Sequence, residues 1–267
     1  MSKENLANNY GLVFLGQAYG SCVFSYERPF CLHENVLFTH SRGGAFSNVN
    51  AGSVLRNCYI GRYCSLCIGL GFGMGQHPHH WAAISPSLNS NFFKNLTSCG
   101  SLPSGSDSFN NYDWWLKPTI IGFDVWVGAS AFIPGTKTIK IGDGAVIAAH
   151  AVVTKDRSDF AIAAGNPARV VKMRFSDEIC ADLKQIAWWD YDFKRLGAAH
   201  PQLLAKANPA REPKEFIAMW RDELGEVAKD FKVAGQWSEV SIVGQELQIK
   251  QISVDEAKSL YVSPIKV

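Results

Sequence analysis

The 267-residue sequence has no apolar run near the roughly 20 residues a membrane helix needs, so no membrane span is expected. Its opening stretch, MSKENLANNYGLVFLGQAYG, holds only the short apolar run LVFL and no small-residue cleavage pattern, so no secretory leader is expected either. Net charge is nearly absent. Lys and Arg number 26 against 24 Asp and Glu, and the resulting +2 gives no general nucleic-acid signal. A disulfide framework is missing too: seven cysteines is an odd number at irregular spacings, which points to a reducing cytoplasm. Cys64 and Cys67 have the spacing of a metal pair, but no second pair completes a zinc site, and they read as repeat fillers. The sequon at Asn95 has no role in a cytoplasmic chain. Disorder is excluded by composition, with 47% hydrophobic and 19% charged residues.

What is present is a period of six. In IIGFDVWVGASAFIPGTKTIKIGDGAVIAAHAVVTKD, Ile121, Val127 and Ile133 are six apart, and so are Ile141, Ile147 and Val153. Small or modest side chains follow at Val125, Ala131, Ala145 and Ala151. Neither a helix nor a free strand has that period. Short strands joined by tight corners do, which is the hexapeptide pattern of a parallel β-helix. Gly122, Gly128 and Gly142 are expected to supply unusual corner dihedrals. The registers meet across eight residues, Ile133 to Ile141, so a two-residue insertion carrying Lys137 is expected to bulge from a corner. An earlier run, Val54, Ile60, Leu66 and Phe72, belongs to the same repeat.

This organises the chain as an N-terminal segment 1–44, a β-helix over 45–173 and a C-terminal module 174–267. Residues 76–118 interrupt the repeat as a long aromatic loop, expected to be an ordered excursion. The C-terminal module reads as α+β. SDEICADLKQIAWW begins with the cap Ser176 and lines up Ile179, Leu183, Ile186 and Ala187. A second helix carries Ile217, Trp220, Leu224, Val227 and Phe231, and a hairpin turns at Gly244-Gln245. Charge divides with the organisation: residues 1–173 hold 13 basic against 9 acidic side chains, and 174–267 hold 13 against 15. The first part suits a small anionic ligand.

Residues about 45–188 resemble the hexapeptide-repeat acyltransferases, in the branch of the chloramphenicol- and virginiamycin-type xenobiotic acetyltransferases and related sugar O-acetyltransferases. The matching stretches are IGRYCS, His77 four residues before Trp81, DVWVG, IGDGAVIAAHAVVTKD, GNPARVVKMRF and WWD. The resemblance implies a left-handed parallel β-helix, a homotrimer and acetyl-CoA as donor. It also implies Ala129, Ala149, Thr154 and Lys155 as contacts to the pantetheine arm, and Arg169 and Lys172 as contacts to the coenzyme's phosphates. Trp126 reads equally as a coenzyme contact or a subunit contact. After the histidine the chain runs WAAISPSLNSNFF instead of the family's Trp-Leu-Ser type of run, and the residues beyond WWD have no counterpart.

Acetyl transfer to a hydroxyl requires a proton to leave as the oxygen attacks, and imidazole is suited to take it near neutral pH. His77 is the candidate general base, with backbone amides of GMGQH as oxyanion donors. His79 and His80 have no matching role. The cysteines lack a partner base, so direct transfer is expected without an acyl-enzyme. The leading expectation is therefore a cytoplasmic acetyl-CoA-dependent O-acetyltransferase acting on a small-molecule or saccharide hydroxyl, with no metal, nucleic acid or membrane partner. The departures from the family pattern favour a biosynthetic acceptor over an antibiotic. Two readings of another class stand beside it: a non-catalytic trimeric scaffold, and a zinc carbonic-anhydrase-like protein using the HPHH histidines.

Overall fold

The computed structural model describes residues 3–14, 22–75, 77, 79–82, 84–85, 117–206, 209–210, 212–243 and 246–259. Most of the 76–118 excursion and the Gly244-Gln245 turn lie outside them.

The repeat folds into a three-sided prism of stacked parallel strands, so the chain is mainly β. Face 1 stacks Phe30–Leu32, Ser47–Val49, Ser65–Leu66, Trp126–Val127, Val146–Ile147 and Ala161–Gly165. Face 2 stacks Leu37–Thr39, Val54–Arg56, Gly71–Met74 and Phe132–Pro134. Face 3 stacks Cys22–Glu27, Ser41–Gly43, Cys58–Ile60, Thr119–Ile121 and Ile139–Ile141. The chain visits the faces in the order 1, 2, 3.

Register explains the hydrophobic spacing. Leu32, Val49, Leu66, Val127 and Ile147 stand above one another on face 1, and all are buried. Phe38, Leu55, Phe72 and Ile133 form the inner column of face 2. Removing such side chains from water contributes about 1.5–3 kcal/mol each, and that drives the stacking. Leu55, not Val54, points inward, so the early run steps by five between Leu55 and Ile60 and a coil takes seventeen residues. From Val127 to Ile147 it takes twenty. The extra chain at 136–138 is exposed, so the insertion around Lys137 is three residues long, one more than the spacing suggested.

The corners solve a backbone problem. A tight turn between flat faces favours a residue in the left-handed region, and such residues recur along all three corners. Asn35, Gly52, Gly69, Ser130 and His150 occupy the corner between faces 1 and 2. His40, Asn57 and Gly73 occupy the corner between faces 2 and 3, and Phe46, Tyr63, Asp124, Gly144 and Phe160 the corner between faces 3 and 1. Each non-glycine residue there costs about 1–2 kcal/mol, which packing must offset. Gly122, Gly128 and Gly142 do not supply these dihedrals, contrary to expectation. They sit two residues earlier, where a side chain would strike the backbone of Asp143, Ala149 or Asp159 in the next coil.

Both chain ends are tied to this prism. Stacked strands begin well before residue 45, and the helix α1, Lys3–Tyr10, closes the N-terminal end with Leu6 buried. Beneath it Phe24, Tyr26, Phe30 and Phe38 form an aromatic plug with ring centroids 5.3–6.3 Å apart. The C-terminal hairpin, Trp237–Val243 with Glu246–Ile252, returns to pair antiparallel with Cys22–Glu27 and widens face 3. The helix α2, Asp177–Ile186, starts at Ser176, whose side chain makes no cap bond. The second expected helix runs Pro213–Met219, passes through a π turn at Trp220–Leu224 and resumes at Gly225–Ala228.

These helices pack on the corner between faces 3 and 1, where three of the five left-handed residues, Phe46, Tyr63 and Phe160, are aromatic. Tyr63 meets Trp188 at 5.0 Å, and Phe123 stacks on Trp189 at 5.6 Å. Lys184 of α2 bridges Asp143 and Asp159 on successive coils. Arg62 grips buried Glu27 with both arms of its guanidinium, at 2.7 and 2.8 Å, and reaches Asp190 of WWD at 2.7 Å.

Candidate functional site

The excursion carrying His77 leaves the prism at the corner between faces 2 and 3. Its root is Gly73, which fills the left-handed slot above Asn57 with φ +68°. A side chain there would collide with the carbonyl oxygen of Arg56, and Gly135 packs against it from the coil above. The strand register slips between Phe72 and Met74, and the Gly135 amide then holds the Met74 carbonyl at 3.0 Å. Gly73→Ala is therefore expected to cost about 2–3 kcal/mol and to displace the chain leading to His77. Thermal unfolding and turnover measured on the same sample check both effects.

His77 is exposed, and its Nδ1 lies 2.9 Å from the carbonyl oxygen of Ile84. A carbonyl only accepts, so this contact places the proton on Nδ1 and leaves Nε2 as the basic nitrogen. The structure thus supplies a fixed tautomer, which the sequence did not reveal. His79 and His80 are exposed turn residues, with their rings 5.8 Å apart and perpendicular. Among the described residues no group of three or more His, Cys, Asp or Glu side chains is placed to hold a metal ion.

Cys64 is buried, and its thiol donates to the Gly122 carbonyl at 3.0 Å. Burial pushes its pKa up to about 12, so it is a thiol at neutral pH and not a nucleophile.

The remaining candidates fall into three places. Thr154, half-buried, and Lys155, exposed, share the His77 corner near the C-terminal end of the prism. Ala129 and Ala149 occupy the corner between faces 1 and 2, where the His150 amide donates to the Ala129 carbonyl at 2.8 Å. Trp126 and Lys172 lie on the outer side of face 1, aligned through Val146 and Ile162. Trp126 is 49% exposed. Arg169 projects from the strand Ala168–Met173, which ends the face 1 sheet and folds back antiparallel on Ala161–Gly165. A single copy does not gather all of them into one cleft. It presents a corner where Ala129 and Ala149 alternate with Ser130 and His150, an exposed indole and a cationic coil end. Lys155, Arg169 and Lys172 have no ion-pair partner among the described residues.

No family model matches the chain. Similarity to individual proteins is decisive. Over 171 residues the chain is 38% identical to the chloramphenicol acetyltransferase of Agrobacterium fabrum (strain C58 / ATCC 33970), covering 61% of this chain and 72% of that one. The chain belongs to the hexapeptide-repeat acetyltransferases. Its chloramphenicol-type branch includes the Klebsiella aerogenes chloramphenicol acetyltransferase, 37% identical over 148 residues, 54% of this chain and 64% of that one. A shorter match, 36% identical over 59 residues, links it to the virginiamycin A acetyltransferase of Staphylococcus aureus, covering 22% of this chain and 27% of that one. The chain thus matches slightly less than two thirds of the Klebsiella relative's length. The coil of hexapeptide-repeat acetyltransferases is left-handed, against the general right-handed preference of parallel crossovers.

Proposed function

We propose that the chain is an acetyl-CoA-dependent O-acetyltransferase in which His77 acts as general base. The thioester supplies the activated acetyl group. His77 takes the acceptor's hydroxyl proton on Nε2 as the oxygen attacks, and the Ile84 carbonyl steadies the imidazolium through Nδ1. The proton then accompanies the departing thiolate, so the imidazole ends the cycle neutral. The observation that carries this reading is the His77–Ile84 contact in a chain whose relatives are acetyltransferases.

The residues suit the donor. Ala129 and Ala149 add little bulk beside Ser130 and His150, so backbone groups there can pair with pantetheine amides, while Lys155, Arg169 and Lys172, with no ion-pair partner among the described residues, suit phosphate. Arg169→Ala is expected to weaken coenzyme A binding about tenfold with turnover retained at saturation. Calorimetry with the coenzyme alone decides it, and an unchanged dissociation constant removes Arg169 from the site.

The acceptor best supported is a hydroxylated antibiotic-like small molecule, because the relatives are named for chloramphenicol and virginiamycin. A saccharide hydroxyl is the second reading, favoured by the C-terminal module that widens face 3. Free-thiol release with chloramphenicol and a panel of sugars separates the two. An absence of thiol release with every hydroxyl acceptor would instead favour a non-catalytic scaffold.

The proposal includes a homotrimer, in which a neighbouring copy covers exposed Trp126, Val170 and Val171 and faces His77. It also places the protein in the cytoplasm. No helix among the described residues is long and apolar enough to cross a membrane, and Cys31, Cys58, Cys64, Cys67 and Cys180 are free.

A further inference from the structure

The last inward position on face 3 is not aliphatic. Arg157 pairs in parallel with Ile141, whose side chain fills the prism one coil earlier. A cation there turns across the open end of the coil. Its Nη2 donates to the Ala168 carbonyl at 2.8 Å and its Nη1 to the Asp156 carbonyl at 2.8 Å. Its Nε is buried with no hydrogen-bond partner among the described residues. Arg169 donates from Nη1 to the same Ala168 carbonyl at 3.0 Å. Two guanidinium groups therefore meet at one neutral oxygen.

No carboxylate pairs with either of them among the described residues. Asp156 is nearest in sequence, and its Oδ1 accepts the Lys140 amide at 2.9 Å. Burial, and then the Arg169 charge, hold Arg157 below the usual arginine range against a smaller opposing pull from the Asp156 carboxylate. Like charges brought together with no carboxylate in direct contact are unfavourable, and a bound anion relieves the cost. Paired planar forks suit phosphate in particular, since each offers parallel N–H donors. Exposed Lys155 and Lys172 lie on the two segments that flank the pair.

We propose that Arg157 joins Arg169 in binding one phosphate group of the coenzyme at the C-terminal end of the prism. The inference rests on the acetyl-CoA reading above. It adds a contact from a residue that the repeat pattern would fill with an aliphatic side chain.

Calorimetry of the full chain with CoA, 3′-dephospho-CoA and 4′-phosphopantetheine distinguishes the two phosphate sources. If the pair holds the 3′-monoester, Arg157→Gln is expected to lose about tenfold in affinity for CoA and little for the other two. If it holds the diphosphate, the loss is similar for CoA and dephospho-CoA and smaller for phosphopantetheine. Arg157→Lys should retain part of either effect. An equal loss on all three ligands, or none, overturns the proposal and leaves Arg157 as an end cap, which a lowered Tm in both variants would accompany. A wild-type chain with no affinity for CoA overturns the acetyl-CoA reading itself, and this inference with it.

Discussion

Replacing His77 with alanine is expected to lower turnover by about 10²–10⁴ while the dissociation constant for coenzyme A stays within a few-fold of wild type. The split follows from geometry. His77 sits on the excursion, and its ring is held by the Ile84 carbonyl, whereas the cations assigned to phosphate lie at the coil end. Removing the ring takes away the proton acceptor but none of the coil-end cations. His77→Gln is the matched control, because its amide can still approach Ile84 yet cannot take a proton near neutral pH. Both variants should therefore lose activity to a similar extent while unfolding near the wild-type temperature. Free-thiol release under saturating donor measures the loss. Full activity in either variant would remove His77 from the mechanism.

The second large effect is on stability. Arg62→Ala is expected to destabilise the fold by about 3–5 kcal/mol, since it strands an ionised carboxylate inside the protein. Glu27 is 1% exposed, and besides Arg62 its carboxylate accepts only the Ala45 amide, at 3.2 Å, among the described residues. The same substitution cuts the tie to Asp190, so the C-terminal helices should loosen from the corner that Tyr63 and Phe123 form. Asp190→Ala alone should cost about 1 kcal/mol or less, because that carboxylate is half exposed and water replaces its partner. Urea unfolding of the two variants and the wild type gives the comparison. A double replacement of Arg62 and Glu27 by apolar residues of similar volume is expected to recover much of the loss, because no unpaired charge then remains buried. Equal costs for Arg62→Ala and Asp190→Ala would refute the buried-carboxylate argument.

Much of the prism was legible in the residues because its core is periodic. Val127, Ile147 and Leu66 recur where one side of a coil must be filled, and burial of each is set by its place in the repeat. Coil length was less legible. Val54 and Leu55 are both apolar neighbours, and only strand pairing decides which faces inward. The corner glycines misled for a related reason: Gly122, Gly128 and Gly142 answer to the coil above them, a contact that spacing along one chain does not display. His77 was conspicuous as a candidate because it follows a glycine-rich turn, but its tautomer depends on a carbonyl seven residues away.

By itself the sequence determined the repeat, the family resemblance and the residue types suited to acyl transfer, since these are written in local order. Only the tertiary structure decided that the C-terminal hairpin closes back on the first coil, that Arg62 links Glu27 to Asp190, and that Arg157 meets Arg169. The physical reason is separation. Hydrogen bonds and charges act over a few ångströms, and residues such as Glu27 and Asp190 come within that range only after the coils have stacked.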